Sequence, residues 1–186
     1  NSANESVSGA GRLAYRDEES GLSYLAILGK SESKELKPNG AADIYVNNAE
    51  ISTNSALLNV NKQIDPSNKL GFTVDIYSKD SDIARASGNL STGYFNYTKQ
   101  ESDVYQTKNR YIFSWEHDAI DKTNFVDNLK AKIYYQDYET KDYWNEFQAE
   151  KYFFGRLLNQ DRDVYSRYKL KDDSYGADLQ FGSTIN

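Results

Sequence analysis

Residues 70–77, with the sequence LGFTVDIY, alternate strictly between two kinds of side chain. Leu70, Phe72, Val74 and Ile76 form the apolar set, and Gly71, Thr73, Asp75 and Tyr77 form the other. Successive side chains of a β-strand point to opposite sides, so this alternation is typical of a strand with one apolar and one polar face. The stretch therefore predicts a two-faced strand.

Similar alternation marks six further segments, at 6–16, 22–30, 55–61, 110–116, 129–138 and 174–183. The pattern is weakest in the first two of these, and Leu25 and Ile27 interrupt it in the second. Leu57 and Ile112 are the other exceptions. Seven segments of this kind predict an all-β fold with seven antiparallel strands.

Short and long polar connections alternate between the predicted strands. Short turns are predicted at Asp17–Gly21 and Asp65–Asn68, a somewhat longer turn at Asp118–Asn128, and long loops at roughly 31–51, 78–108 and 139–173. Outer-membrane barrels have this arrangement, with short turns in the periplasm and long loops outside the cell. The sequence therefore predicts an antiparallel up-and-down transmembrane β-barrel segment, whose apolar faces contact lipid. We expect Arg12, Asp75, Lys130 and Lys132 to face the lumen, where they contact a plug domain or line the path of a ligand.

Seven strands do not complete a barrel of this class. Single-chain bacterial barrels have an even number of strands and leave no edge unpaired. We therefore expect residues 1–186 to form a partial β-barrel domain, with the plug domain and the remaining strands outside this sequence.

Composition excludes several classes of function. The formal net charge of −6 argues against a nucleic-acid partner, which requires a basic face. No stretch approaches the roughly 20 apolar residues of a membrane helix. With no Cys and one His, neither a thiol nucleophile nor a Ser-His-Asp relay can be assembled, and no enzyme is predicted. The single histidine, His117, is expected at the lower membrane interface rather than as a haem ligand.

Aromatic residues concentrate in two of the predicted outer loops, and such residues dominate protein-binding hot spots. The alternative is that they pack loop against loop or extend the strands above the membrane. Arg156, Arg162 and Arg167 either steer an acidic partner or pair with Asp161, Asp163 and Asp172. The residues predicted to bind a partner are Tyr94, Phe95, Tyr97, Tyr143, Trp144, Phe147, Tyr152, Phe153 and Arg156.

Three stretches resemble the TonB-dependent receptors, especially the branch that takes haem or iron from haemoglobin, transferrin and lactoferrin. They are NSALLNVNKQIDPSNKLGFTVDIYS at 54–78, NRYIFSWEHDAIDKTNFVDNLKAKIYYQDYET at 109–140 and DSYGADLQFGS at 173–183, a little over a third of the chain. In such receptors the first two resemble consecutive hairpins, and the third resembles a strand that returns from a long outer loop.

The resemblance implies a receptor in the bacterial outer membrane, with its long loops extracellular. Its partners would be host haemoglobin or another haem or iron protein, outer-membrane lipid, and the TonB complex acting through the plug. Haem would be the transported ligand, with no covalently bound cofactor and no resident metal. Two alternatives stay open: a siderophore receptor of the same fold, and a β-rich surface adhesion module with a core between two sheets.

Overall fold

The computed structural model describes residues 4–35, 46–91, 94–119, 127–152 and 158–183. They form a single antiparallel sheet in which each strand pairs with the next along the chain. The strands are β1 (Asn4–Asp17), β2 (Leu22–Glu35), β3 (Val46–Asp65), β4 (Asn68–Ser91), β5 (Tyr94–Asp118), β6 (Asn128–Tyr152) and β7 (Leu158–Gly182). The predicted all-β, up-and-down fold of seven strands is confirmed, and the sheet is open because β1 and β7 lie at its two edges. No helix in the described ranges is long and apolar enough to cross a membrane.

The strands are much longer than predicted, because most of each predicted outer loop is itself strand. The β4–β5 hairpin is paired continuously from Ser91 and Tyr94 down to Asn68 and His117. Residues 139–152 and 158–173 likewise belong to paired strands. The prediction of long loops was therefore wrong here. These segments are polar on both faces, so no apolar alternation marks them, while their backbones still form complete ladders.

The lower end of the sheet, defined by the short connections, is closed by two tight turns as predicted. Asp65 organises one of them: its carboxylate accepts hydrogen bonds from the backbone nitrogens of Ser67 at 2.8 Å and Asn68 at 2.9 Å. The other ends at Gly21, which has a φ of +64°. Glycine adopts this left-handed conformation without steric cost. The Gly21 carbonyl accepts a hydrogen bond from the backbone nitrogen of Gln63 at 2.8 Å, which ties the turn to β3.

The register places every predicted apolar set on one face of the sheet, called the outer face. Directly paired residues of antiparallel strands point to the same side, and the pairs Phe72–Val60, Phe72–Phe113 and Phe113–Ile133 carry this face across the sheet. Its lower half is the apolar band: Leu13, Tyr15, Leu22, Tyr24, Ala26, Leu28, Ala56, Leu58, Val60, Leu70, Phe72, Val74, Ile76, Tyr111, Phe113, Trp115, Leu129, Ala131, Ile133, Tyr135, Tyr175, Ala177, Leu179 and Phe181. Two charged residues, Asp17 and Lys62, lie in its lower part, level with Leu22 and Leu70, and the rows of Phe72 and Val74 above them carry no charge.

The opposite face, called the inner face, is the crowded one. A Cβ added at Gly176 would lie 2.5 Å from the Tyr134 ring, and one added at Gly71 would lie 2.9 Å from Asn61 Oδ1. The buried strand residues Ser81 and Glu146 also lie on this face, whereas Phe72 and Phe113 on the outer face are each 44% exposed. Side chains converge on the concave side of a bent sheet and diverge on the convex side. The crowding therefore indicates that the sheet curves toward its inner face.

The apolar band has no protein layer over it in the described part of the chain. None of the described hydrophobic residues is buried, and Leu179, Ile133 and Phe113 keep 63%, 59% and 44% of their surface exposed. Exposing this much apolar area to water is unfavourable by about 25 cal/mol per Å². The two-sheet core expected of an adhesion module is not present among these residues, which form one sheet.

Candidate functional site

Aromatic residues lie along both margins of the apolar band. At its upper margin, Tyr111 and Tyr135 stack with their ring centroids 6.4 Å apart. Tyr135 also donates a hydrogen bond at 3.2 Å to Asp173, one step above the band. Beside the Asp17–Gly21 turn, Tyr15 and Tyr24 stack at 5.3 Å in the register row of Phe72 and Phe113. Tyrosine suits a boundary between an apolar and an aqueous phase, because its ring is apolar and its hydroxyl is polar.

The lower margin contains the only histidine. His117 Nδ1 lies 3.0 Å from Asn68 Oδ1, and Trp115 Nε1 donates to the same oxygen at 3.1 Å. The His117 ring packs against Trp115 with a centroid distance of 6.2 Å. The three side chains thus form one polar cluster at the end of β4 and β5. His117 thus lies at the end of its strand, and its position at a membrane interface stays a prediction.

Above the band, the outer face carries a group of three tyrosines and an arginine, called the tyrosine–arginine cluster. The Arg167 guanidinium lies 5.6 Å from the centre of the Tyr143 ring and 5.2 Å from that of Tyr165. Arg167 Nε also donates to the Tyr165 hydroxyl at 3.0 Å. Tyr105 meets Tyr143 edge to face at 6.0 Å. The cluster spans β5, β6 and β7, so the sheet register holds it rather than a loop.

Next to this cluster is an open cavity of about 640 Å³ lined by acidic and aromatic residues. Asp82 and Asp103 face each other directly across β4 and β5. Burial and the Asp82 carboxylate raise the pKa of Asp103 above its usual value. Like charges directly opposite each other destabilise a sheet. The cavity lining is Glu50, Asp82, Ile83, Ala84, Glu101, Asp103, Tyr143, Asn145 and Tyr165.

The structure divides the predicted partner-binding residues. Tyr143 and Phe147 lie on the outer face. Trp144 directly follows Tyr143 in the strand and therefore lies on the inner face. Four more, Tyr94, Phe95, Tyr97 and Tyr152, occupy the upper ends of β5 and β6, where only the backbone is described. The last two, Phe153 and Arg156, lie outside the described residues. The predicted set therefore does not form one surface.

Of the two roles expected for Arg167, pairing with a neighbouring aspartate is not seen among the described side chains. Its guanidinium stacks on tyrosine rings, and no ion pair of Arg167 is found among the described residues. The sequence prediction also missed Tyr105 and Tyr165. Each lies in a short stretch that contains several residues with a preference for strands, VYQTK at 104–108 and VYSRYK at 164–169. These stretches were the available signal for extended strands above the band.

The inner face at the height of the band is largely polar, apart from Leu25, Ile27, Leu57 and Ile112, and most of its charges are cationic. The register places Arg12, Asp75, Lys130 and Lys132, all predicted to face the lumen, on this face. Three carboxylates share it with six cations. The cations are Arg12, Arg16, Lys69, Arg110, Lys130 and Lys132, and the carboxylates are Asp75, Glu116 and Asp178.

The described residues contain no group of three His, Cys, Asp or Glu side chains positioned to hold a metal ion. The chain matches no family model, no curated protein and no solved structure. What the described residues present is an exposed apolar band, a tyrosine–arginine cluster above it and a cationic inner face. These features favour binding surfaces of three different chemistries.

Proposed function

We propose that this chain is part of the wall of a bacterial outer-membrane β-barrel, a TonB-dependent receptor that takes haem or iron from host proteins. The apolar band is the observation that supports the proposal. Its rows through Phe72 and Val74 cross all seven strands without a charge, while six cations occupy the opposite face at the height of the band. A barrel wall between lipid and a wet lumen requires this arrangement.

The extended hairpins support a role in capture outside the cell. In the proposed orientation, β4 to β7 continue well above the band as one paired sheet, with Tyr105, Tyr143, Tyr165 and Arg167 on its outer face. Tyrosine and arginine are enriched in hot spots because they combine a large contact area with polar groups. In this proposal, the tyrosine–arginine cluster contacts the host protein, and a plug energised by the TonB complex admits the cargo.

The test is saturable binding of haemoglobin to cells that express the full-length protein, with transferrin and a siderophore complex measured alongside. Deleting residues 78–108 would remove half of two strands, so point variants are cleaner. Tyr165→Ala is expected to weaken haemoglobin binding by about 10- to 100-fold. Tyr168→Ala is the matched control, because Tyr168 lies on the inner face of the same strand and is 58% exposed against 59% for Tyr165.

Three outcomes separate the competing functions. Haemoglobin binding that falls with Tyr165→Ala and not with Tyr168→Ala supports capture on the outer face. Binding of neither host protein, with growth on the siderophore complex intact, would leave a siderophore receptor of the same fold. Recovery of the protein outside the outer-membrane fraction would exclude both receptors and favour an adhesion module.

A further inference from the structure

Above the apolar band, the outer face carries a concentration of negative charge on β2 to β5. Two open cavities, of about 640 and 260 Å³, lie there side by side and share Glu50 and Asp82 in their walls. We call the two cavities together the acidic trough. By the register, its charged side chains all lie on the outer face, and among the described lining residues Lys34 is the one cation. The carboxylates are Glu32, Glu50, Asp80, Asp82, Glu101 and Asp103.

Half of the carboxylates in the trough have no cationic partner. The three glutamates are each paired with a lysine of the same or the neighbouring strand, with 2.6 to 3.0 Å between the lysine Nζ and the carboxylate oxygen. Among the described residues, no ion pair is found for Asp80, Asp82 or Asp103. The uncompensated negative charge of the trough therefore lies on these three aspartates of β4 and β5.

The three aspartates act together on their surroundings. Asp82 and Asp103 face each other directly across β4 and β5, and like charges in this position destabilise a sheet. The negative charge also reaches Tyr105 on the same face, whose pKa is raised by Asp103 first, then by burial, and then by Asp82 and Asp80. A cation supplied from outside the described chain would relieve this repulsion.

The trough is long enough to hold a polypeptide segment. It runs across the strands from Lys34 on β2 to Tyr165 on β7, which is five strand spacings or about 24 Å. An extended chain rises about 3.3 Å per residue, so about seven residues would span the trough. The larger cavity, at about 640 Å³, falls in the range of roughly 300 to 1,000 Å³ that is usual for binding sites. Ala84 in its lining contributes only a methyl group, which leaves the space beside Asp82 open.

One end of the trough is continuous with the tyrosine–arginine cluster. Tyr143 and Tyr165 belong to both. The proposed function assigns the cluster to contact with the host protein, so a segment of that protein that lies on the cluster would continue into the trough. The trough therefore adds a second, oppositely charged part to the same contact surface.

We infer that the acidic trough binds a basic segment of the captured host protein, whose lysine or arginine side chains pair with Asp80, Asp82 and Asp103. The inference rests on the proposed function, because it names the chemistry of the segment that the receptor contacts. Each unpaired carboxylate would accept a charge-assisted hydrogen bond from an ammonium or guanidinium group. A neutral or acidic segment would leave the repulsion between Asp82 and Asp103 in place.

The test compares two fluorescent peptides as probes, hexaarginine amide and the neutral hexacitrulline amide, in which a urea group replaces each guanidinium. Fluorescence anisotropy with the full-length protein in non-ionic detergent micelles is expected to show at least about 10-fold tighter binding of hexaarginine. The salt concentration is about 0.15 M, where the Debye length is about 8 Å and remote charges contribute little.

Two double variants show where the peptide binds. Asp82→Asn/Asp103→Asn is expected to weaken hexaarginine binding by about 10-fold, and it removes a repulsion, so the sheet should remain folded. Glu18→Gln/Glu19→Gln removes the same two charges from the turn at the lower end of the sheet. This control is expected to change the affinity by less than about 2-fold.

Equal binding of both probes to the unmodified protein would overturn the inference. So would a hexaarginine affinity that is unchanged in Asp82→Asn/Asp103→Asn, because the peptide would then bind elsewhere. Failure of the proposed function is separate: a protein that prefers hexaarginine in this way, but binds neither haemoglobin nor transferrin on cells, retains the trough and loses the receptor role. Conversely, haemoglobin binding that falls with Tyr165→Ala but not with Asp82→Asn/Asp103→Asn keeps the receptor role and overturns the basic segment.

Discussion

The lower and upper halves of the same strands differ on the outer face, although their backbone pairing is identical. In the rows of Phe72 and Val74 this face is apolar and free of charge, and above Ile76 and Tyr111 it carries carboxylates, lysines and the tyrosine–arginine cluster. On the inner face, polar residues continue through both halves. One face therefore changes character along the strand while the other does not.

This difference indicates that the surroundings of the outer face change with height. Backbone hydrogen bonds hold the sheet together in both halves, and in the described part of the chain no protein core covers the apolar residues. A lipid phase around the lower half, with water around the upper half, accounts for the change in our proposal. The predictions below test this contrast, from the largest expected effect to the smallest.

A charge in the middle of the band should have the largest effect. Phe113→Lys is expected to destabilise the full-length protein in lipid vesicles by about 2 to 4 kcal/mol, the usual cost of a lysine at the centre of a bilayer. Thr107→Lys places the same side chain on the same strand and face, but above the band. Urea unfolding measures both variants. Equal destabilisation by the two lysines would contradict a boundary at Tyr111.

A side chain at a crowded inner glycine should have an intermediate effect. Gly176→Val would drive a Cβ to within 2.5 Å of the Tyr134 ring and is expected to cost about 1 to 3 kcal/mol. Gly9→Val is the outer-face control, because nothing lies within 4 Å of its added Cβ. The midpoint of urea unfolding reports both changes. If Gly9→Val were as costly, crowding against the Tyr134 ring would be the wrong explanation.

Removing one charge of the opposed pair in the upper half should have the smallest effect. The raised pKa of Asp103 means that protonation favours the folded hairpin, and this stabilisation is lost as pH rises from 3.8 through the raised value. Asp103→Asn is therefore expected to stabilise the β4–β5 hairpin at pH 7. The free energy of its opening, measured by amide hydrogen exchange, should rise by less than about 1 kcal/mol. The difference should vanish at about pH 3. A variant that exchanges faster at pH 7 would refute the repulsion between Asp82 and Asp103.

Sequence alternation predicted the lower half well and the upper half poorly. From residue 70 to 77 every second side chain is apolar, so both the strand and its two faces could be assigned. From 78 to 91 neither face is apolar, and the same strand was assigned to a loop. The usual sequence signal depends on one face contacting an apolar phase, which the upper half does not require.

The partner-binding residues were located less well for a related reason. Tyr143 and Trp144 were treated as members of one exposed group, which is reasonable for a loop but not for a strand, where neighbours point to opposite faces. Tyr105, Tyr143, Tyr165 and Arg167 come from three strands and converge only through the register. Pairing between residues as far apart as Tyr143 and Arg167 is not encoded by either local sequence.

The sequence by itself determined the number of strands, their order along the chain and the two faces of the lower half. These properties follow from short-range alternation and from turn residues such as Asp65 and Gly21, which act within a few residues. Only the tertiary structure decided how far the strands extend, which way the sheet bends and which carboxylates remain unpaired. Those properties depend on contacts between neighbouring strands, where Tyr134 lies over Gly176 and under Arg110.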